Sequence, residues 1–398
     1  MARKTFLNGY PLPASDLNTY LMDQTVQTFA DAAARTAALA TPTEGMQSYL
    51  ADTNTVYSYD GANWVAQIDA ANYGTVLPNN SKNAVLNSDF SIWQRGTSIA
   101  TGTNRVYTAD RWNAWRGGLV AGMTVSRQAS TRTGGQYAAR VQRDSGNTST
   151  QQLRFAQDFE SVNSIPFAGK TVTFSIYARA GANYSATSSA LGIQVLSGTG
   201  TDQNIVNGYT GASSFISSSM TLTTTLQRFT FTGTVPSNAT QIGFVINFDP
   251  IGTAGANDWY EIEAVQLEAG SVATPFQRAN GTIAGELAAC QRYYQRFDGA
   301  NGAQALGTGV VNTTTRTNAV PIRSSVTMRT APTAAYAGTV SIYDGVFSVS
   351  ITSIAFTIAG NNGVQLDLGH SSTLTVGRPG IVAVGNGAGN WLELVAEL

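Results

Sequence analysis

The chain has 398 residues, a formal net charge of -1 and only 12% charged residues, about half of the roughly 25% that soluble domains usually carry. So few charges, with three lysines in all, exclude the clustered basic surface that nucleic-acid binding requires. The single cysteine, Cys290, excludes an intrachain disulfide, and its place in an apolar helical pattern predicts a buried structural thiol. The length predicts two or three domains, and the 40 glycines favour short strands joined by tight turns.

Residues 1–40 predict an irregular start followed by a helix that Ser15 or Asp16 caps and that runs to about Leu39. A narrow apolar seam on this helix consists of Met22, Val26 and Phe29. The seam fits a helix that lies against a neighbouring protein or frays alone, or it forms the core of a three-chain bundle. No apolar run is long enough for a signal peptide or a transmembrane helix, so we expect synthesis in a cytoplasm without membrane insertion.

Residues 41–83 predict a small β-hairpin unit followed by a linker. The dipeptide Asp60-Gly61 stands between two β-rich runs, which is a strong hairpin signal. Two or three strands alone are marginally stable in water, so we expect this unit to pack on copies of itself or on a neighbouring protein. Residues 68–83, which contain Pro78, are interpreted as the linker.

Residues 84–279 predict an antiparallel β-sandwich. Val172, Phe174 and Ile176 alternate with polar residues, and similar runs recur without a long helix between them. Phe174 lies in the middle of its run and is expected in the core. The apolar phase slips by one residue near Ala264, which predicts a β-bulge there, because a slip would otherwise turn side chains to the opposite face.

Residues 280–297 predict a connecting helix, and residues 298–398 predict a C-terminal tip domain. The helix carries an apolar stripe at helical spacing, with Glu286 in its first turn. The stripe consists of Ile283, Leu287, Cys290 and Tyr294. The residues after the helix form a series of predicted strands, which indicates a small β-sandwich. The fold class is therefore mainly β, with an antiparallel central sandwich, a C-terminal sandwich and a short helix and hairpin unit at the N-terminus.

Five segments together resemble bacteriophage tail fibres and minor tail, receptor-binding proteins. Residues 87–96 (NSDFSIWQRG) and 107–112 (YTADRW) are similar to the opening of a jelly-roll module of the carbohydrate-binding type in that family. Residues 265–276 (VQLEAGSVATPF) resemble its last strand, and residues 290–294 (CQRYY) resemble the helix that follows. Residues 393–398 are similar to the close of such fibre tips.

The resemblance implies that the central sandwich is a jelly roll and that the protein belongs to the phage tail in the virion. It implies attachment to other tail proteins through the N-terminus and adhesion to a glycan on the bacterial surface. It also implies a homotrimer, in which subunits cover each other's strand edges and multiply weak glycan binding by avidity. Enzymatic activity and a cofactor are not expected.

Few residues are candidates for catalysis or metal binding. His370 is the only histidine, and its turn-like context favours a position at the surface or in a subunit contact. Glu261 and Glu263 project from one strand face, where Asp249 or Asp258 could join them. Two such carboxylates could serve a glycosidase. Solvated strand residues, or oxygen ligands of a structural Ca²⁺, are the favoured interpretations.

Aromatic side chains are the candidates for glycan binding, because their faces stack on the C–H surfaces of sugars. Six of them lie near turns: Trp112, Trp115, Tyr209 and Trp259 in the central domain, and Tyr336 and Tyr343 in the C-terminal domain. A core position remains the alternative for each. The sequence thus favours an adhesin, with a polysaccharide depolymerase and a purely structural tail protein as alternatives. Release of reducing sugar would identify the enzyme, and cell binding would separate the adhesin from the structural protein.

Overall fold

The computed structural model describes Pro13 and residues 26–67, 83–371 and 373–398. The chain divides into two compact units, Met1–Asn79 and Asn80–Leu398. The predicted seam residue Met22 and nearly all of the predicted linker lie outside the described residues. None of the helices in the described part of the chain is long and apolar enough to cross a membrane.

The first unit is a four-stranded sheet with one helix, and it contains the predicted hairpin. Its elements are β1 (Gln27–Phe29), α1 (Ala32–Ala38), β2 (Gln47–Leu50), β3 (Thr55–Tyr59) and β4 (Trp64–Ala66). β1 pairs with β2 in parallel, and β2, β3 and β4 are antiparallel. Between β3 and β4, the Asp60 carboxylate accepts the backbone N–H groups of Ala62 and Asn63, and Gly61 has a φ of +95°. The Asp-Gly hairpin signal is confirmed.

The predicted helix over residues 16–39 is confirmed over Ala32–Ala38 and wrong over residues 26–31. Phe29 ends a strand instead, and Val26 precedes that strand with 49% of its surface exposed. The helix begins only after Asp31, whose side chain accepts the N–H of Ala34 at 2.8 Å. Thr28 and Phe29 favour strands, and Asp31 is a better N-cap than the residues around it. Val26 and Phe29 therefore do not form a helical seam.

The predicted central sandwich consists of two six-stranded antiparallel sheets. One sheet, the β15 sheet, contains β6 (Val106–Tyr107), β7 (Asn113–Arg116), β10 (Leu153–Asp158), β12 (Ala190–Gly198), β13 (Ser213–Thr221) and β15 (Gln241–Phe248). The other, the β16 sheet, contains β5 (Ser98–Thr101), β8 (Met123–Ala129), β9 (Tyr137–Arg143), β11 (Thr171–Ala180), β14 (Gln227–Thr234) and β16 (Trp259–Ala269). Their strand orders are β13-β12-β15-β10-β7-β6 and β14-β11-β16-β9-β8-β5. A four-residue helix, α2 (Ser161–Ser164), follows β10.

The core between the two sheets is aromatic and agrees with the predicted strand facing. Phe174 is fully buried, with its ring centre 5.1 Å from that of Phe244. Trp112 stacks on Phe155 at 4.8 Å. The predicted bulge is confirmed, because Ala264 has a φ of +51° and the register of β16 against β11 shifts beside it. The bulge keeps apolar side chains inside along the whole of β16.

The connecting helix, α3 (Ile283–Gln291), is shorter than predicted and buries only part of the predicted stripe. Ile283 is 50% exposed, whereas Glu286 and Cys290 are buried. Tyr294 belongs to the following strand. The predicted apolar stripe is therefore wrong, because the helix is anchored through hydrogen bonds. Oxygens of Glu286 accept the backbone N–H groups of Asn87 and Asn280. The buried thiol is confirmed, and burial raises the pKa of Cys290.

The C-terminal strands form a closed barrel rather than the predicted two-layer sandwich. The barrel strands are β18 (Gln304–Thr313), β19 (Arg316–Arg323), β21 (Val340–Tyr343), β22 (Ser348–Gly360), β23 (Gly363–His370) and β24 (Pro379–Val384). They close in the order β18-β19-β23-β22-β21-β24. A three-stranded sheet joins β17 (Tyr294–Asp298), β20 (Thr333–Ala337) and β25 (Trp391–Val395). Closure leaves the barrel without free strand edges. His370 is buried within this domain, so its predicted surface position is wrong.

Candidate glycan-binding site

Three of the six predicted glycan-stacking side chains are buried. Trp112 is in the core, where its Nε1–H donates to the carbonyl oxygens of Leu86 and Asn87. Trp115 packs in a small apolar cluster outside the β15 sheet. Tyr209 donates its hydroxyl to Asp158 at 2.7 Å. These aromatic rings have no exposed face for a sugar, so the stacking role predicted for them is wrong.

The other three predicted aromatic residues keep some exposed surface. Trp259 is half-buried, with the Arg140 guanidinium 4.1 Å from its ring centre and the backbone of Gly181 packed against the indole. Tyr336 is half-buried against the barrel core. Tyr343 is 46% exposed on the barrel surface and lines neither of the two cavities described below.

The four carboxylates predicted to hold Ca²⁺ are bound by protein side chains. Glu261 pairs with both Arg140 and Arg179. The remaining partnerships are Arg132 with Glu263, Arg143 with Asp258, and Gln152 with Asp249. No group of three or more acidic, histidine or cysteine side chains in the described ranges is arranged to hold a metal ion. Three of these carboxylates thus have an arginine partner and the fourth has a glutamine partner, which the sequence did not show. Calcium binding at these residues stays a prediction.

A cavity of about 480 Å³ opens beside the β16 sheet and is the best candidate for a binding site. Its size falls within the usual range for small-ligand sites. It lies between the loop that joins β8 to β9, the segment after β16, and one residue of the chain's 87–96 motif. Its lining residues are Asp89, Arg132, Gly134, Gly135, Gln136, Phe276, Gln277, Arg278 and Gly281.

The segment after β16 is held over the outer face of its own strand. Both carboxylate oxygens of Glu268 accept from Thr274, one from the backbone N–H at 2.8 Å and one from the hydroxyl at 2.6 Å. The Gln277 backbone N–H donates to Gln266 at 2.9 Å. These bonds bury Gln266 and Glu268 and fix Phe276 between two anchored residues. Gln266, Glu268 and Thr274 of the 265–276 motif therefore have a structural role.

The loop between β8 and β9 is shaped by a glycine in close contact. A Cβ atom on Gly135 would lie 2.1 Å from the Ser130 hydroxyl oxygen and 2.7 Å from a carboxylate oxygen of Glu263. The Ser130 hydroxyl donates to Glu263 and accepts the Arg132 backbone N–H at 3.0 Å. Glycine at position 135 therefore lets this loop approach β16 and form one wall of the cavity.

Aromatic and polar groups combine at this cavity. The Arg132 guanidinium lies 5.5 Å from the ring centre of Phe276, and its Nε is 3.4 Å from Glu263. Arg278 donates through Nε to Asp89 at 2.6 Å. The side-chain oxygen of Gln277 is buried without a hydrogen-bond partner. One ring face with amide and guanidinium groups around it is the combination that sugar recognition requires.

A second cavity, of about 290 Å³, lies where the sandwich meets α3. Its charged side chains already have protein partners. Arg292 forms a two-pronged ion pair with Glu160, with both distances 2.8 Å. Asp158 accepts from Tyr209, and burial raises the pKa of Asp158. We interpret this cavity as a gap in the junction between the sandwich and the C-terminal domain.

In comparisons with known proteins, the chain is similar to solved structures but matches no other kind of record. No protein-family model matches the chain, and no curated protein does. A CBM4 structure is 21% identical, covering 46% of this chain and 98% of that chain, with a TM-score of 0.30. TmCBM61 in complex with β-1,4-galactotriose is 11% identical, covering 48% of this chain and 100% of that chain, with a TM-score of 0.28.

A third similar structure is the enzymatically active domain of tailspike protein 4 from bacteriophage CBA120. It is 13% identical, with a TM-score of 0.30, and the match covers 47% of this chain but only 21% of that chain. The three TM-scores are 0.30 or lower, so we infer the function from the residues of this chain.

Sequence reasoning missed the residues that line the larger cavity. Asp89 and Phe276 were noted only as parts of the 87–96 and 265–276 motifs. Arg132 and Arg278 carried no local signal. Two of the resembling segments contribute residues to this cavity, and that is the signal that could have indicated a binding site. The contact between these parts of the chain, such as the hydrogen bond from Arg278 to Asp89 across nearly 190 residues, comes from the fold.

Proposed function

We propose that this protein is a receptor-binding component of a phage tail fibre that binds a bacterial surface glycan in the cavity beside the β16 sheet. The observation that carries the proposal is the half-buried Phe276 ring, surrounded by Arg132, Arg278 and Gln277 on a rigid β scaffold. Phe276 would stack on the C–H face of a sugar ring. The amide and guanidinium groups would bind its oxygens.

The proposal includes binding without hydrolysis. A glycosidase needs two carboxyl groups about 5–10 Å apart on either side of the scissile bond. Asp89 is the only carboxylate among the described residues that line the cavity, and it is engaged by Arg278 and Ser91. Glu263 lies behind Gly135 with 1% of its surface exposed. Neither group is placed to protonate a glycosidic oxygen. No cofactor enters the proposal.

The phage-tail part of the proposal depends on the five resembling segments and includes a homotrimer in the virion, attached through the N-terminus. Three copies would present three cavities to a repetitive polysaccharide and convert weak single-site binding into avidity. Native mass spectrometry of the full chain tests the assembly. A monomer at micromolar concentration would contradict the trimer without affecting the proposed cavity.

Glycan-array binding of the purified chain, followed by titration of the best ligand, tests the function. Phe276→Ala should weaken binding at least about tenfold, because the sugar loses its stacking surface. Phe347→Ala, at a ring that is 55% exposed on the barrel, is the matched control and should bind as the parent does. Absence of binding to every glycan, or equal weakening by both variants, would refute the proposed site. Release of reducing sugar from a bound polysaccharide would show a depolymerase instead.

A further inference from the structure

The two arginines of the cavity have guanidinium groups that the protein uses only in part. Arg278 binds Asp89 through Nε, and Arg132 approaches Glu263 through Nε. Among the described residues, no hydrogen bond to protein is made by the terminal Nη atoms of either side chain. Both side chains are partly accessible, with 31% of Arg278 and 20% of Arg132 exposed. The cavity therefore offers N–H donors on both of these residues.

The carboxylates at the cavity are, by contrast, already used. Asp89 accepts from Ser91 through both its backbone N–H and its hydroxyl, in addition to Arg278. Glu263 is covered by the loop and accepts from Ser130. A ligand thus meets guanidinium donors without meeting a free carboxylate. Guanidinium groups bind carboxylates in planar, charge-assisted pairs that are stronger than neutral hydrogen bonds.

We infer that the ligand of this cavity is an acidic saccharide, whose carboxylate lies between Arg132 and Arg278 while its ring stacks on Phe276. This inference rests on the proposed glycan-binding function and names the class of sugar. A uronic acid residue satisfies it, since one ring carries both the C–H face and the carboxylate. A neutral hexose of the same size leaves the terminal Nη atoms of both guanidinium groups without a charged partner.

The test uses an array of acidic and neutral polysaccharides, with alginate, polygalacturonate and hyaluronan as uronate-rich members. Each acidic member is also printed after carboxyl reduction, which converts uronates to neutral hexoses of the same linkage. We expect the strongest ligands to be acidic, and we expect carboxyl reduction to weaken their binding at least about tenfold. Binding of the intact acidic ligand should also fall as salt rises, because the carboxylate–guanidinium attraction is screened.

Variants locate the effect. Arg278→Gln and Arg132→Gln should weaken the acidic ligand at least about tenfold and should weaken its carboxyl-reduced form by a much smaller factor. Arg323→Gln, at an exposed arginine on the barrel, is the matched control and should change neither. Comparing the two ligand forms on one folded variant separates loss of recognition from loss of structure.

The outcomes separate the two proposals. One outcome is that glycans bind, that Phe276→Ala weakens this binding, and that carboxyl reduction does not. In that case the acidic class is wrong and the proposed function stands. If the strongest ligands are neutral, the inference is also wrong. If no glycan binds, or Phe276→Ala binds as the parent does, the proposed site itself fails.

Discussion

Arg111 and Glu397, 286 residues apart in the chain, form a buried ion pair that joins the sandwich to the C-terminal segment. Arg111 adopts a φ of +71°, a conformation that costs a residue with a side chain about 1–3 kcal/mol. Its guanidinium also lies 3.5 Å from the ring centre of Tyr293. Arg95 pairs with the second oxygen of Glu397. The 107–112 and 290–294 motifs and the chain's last residues therefore meet in one junction.

Arg111→Ala should destabilise the protein by roughly 3–5 kcal/mol, because it leaves the Glu397 carboxylate buried without its closest partner. The two side chains are only 2% and 5% exposed. Urea unfolding measures the change. Arg316→Ala removes an exposed arginine that pairs with Asp367 and should leave the midpoint unchanged. Equal effects of the two variants would show that the buried Arg111–Glu397 pair contributes no more to stability than an exposed ion pair does.

Phe174→Ala should destabilise the sandwich by about 3–5 kcal/mol, because it removes a fully buried ring that contacts Phe244 and leaves a cavity in the core. Thermal and urea unfolding measure the loss. Phe347→Ala removes an exposed ring and provides the baseline for the loss of a phenyl group. A Phe174→Ala protein as stable as Phe347→Ala would contradict the packing of β11.

Local patterns predicted the strands, and tertiary contacts decided the rest. Alternation along β11 and the phase slip at Ala264 depend on neighbours in sequence, so both could be read directly. The exposure of Trp112 and Tyr209 depends on segments far away in the chain, so their burial could not. The orientation of α3 could not be predicted for the same reason, because the buried Glu286 accepts a hydrogen bond from Asn87, about 200 residues away in the chain. The cavity residues come from three separate segments, and only the fold brings them together.

Stability should depend on pH through Asp110. Burial raises the pKa of Asp110 to about 6, above its value near 3.9 in an unfolded chain. The folded state therefore binds this proton more tightly than the unfolded state does. Protonated Asp110 contributes its full share to the free energy of unfolding below about pH 4, and this contribution is lost as the pH rises through about 6. Asp158 and Glu286 have pKa values raised by burial and act in the same direction.

Asp110→Asn should reduce the dependence of the unfolding free energy on pH between about pH 4 and 7, since an amide does not titrate there. The Asn oxygen can still accept the backbone N–H of Gln94, which donates to Asp110 at 2.9 Å. Urea unfolding of parent and variant across this range gives the two slopes. Asp249→Asn, at an exposed carboxylate, should keep the parent slope. Identical slopes for parent and Asp110→Asn would rule out this source of pH dependence.

The wall of the binding cavity should depend on Gly135. Its substitution by alanine would place a methyl carbon 2.1 Å from the Ser130 hydroxyl oxygen and 2.7 Å from a carboxylate oxygen of Glu263, so the hydrogen bond between these two side chains must break or the loop must shift. We expect Gly135→Ala to weaken glycan binding at least about tenfold, because a displaced wall misplaces Arg132 by an ångström or more. Gly102→Ala is the control, since its Cβ would meet nothing within 4 Å. Titration of the array's best ligand measures affinity, and calorimetry confirms that both variants remain folded. If Gly135→Ala binds that ligand as tightly as Gly102→Ala does, the β8–β9 loop is not part of the binding site and the ligand must be held elsewhere on the sheet.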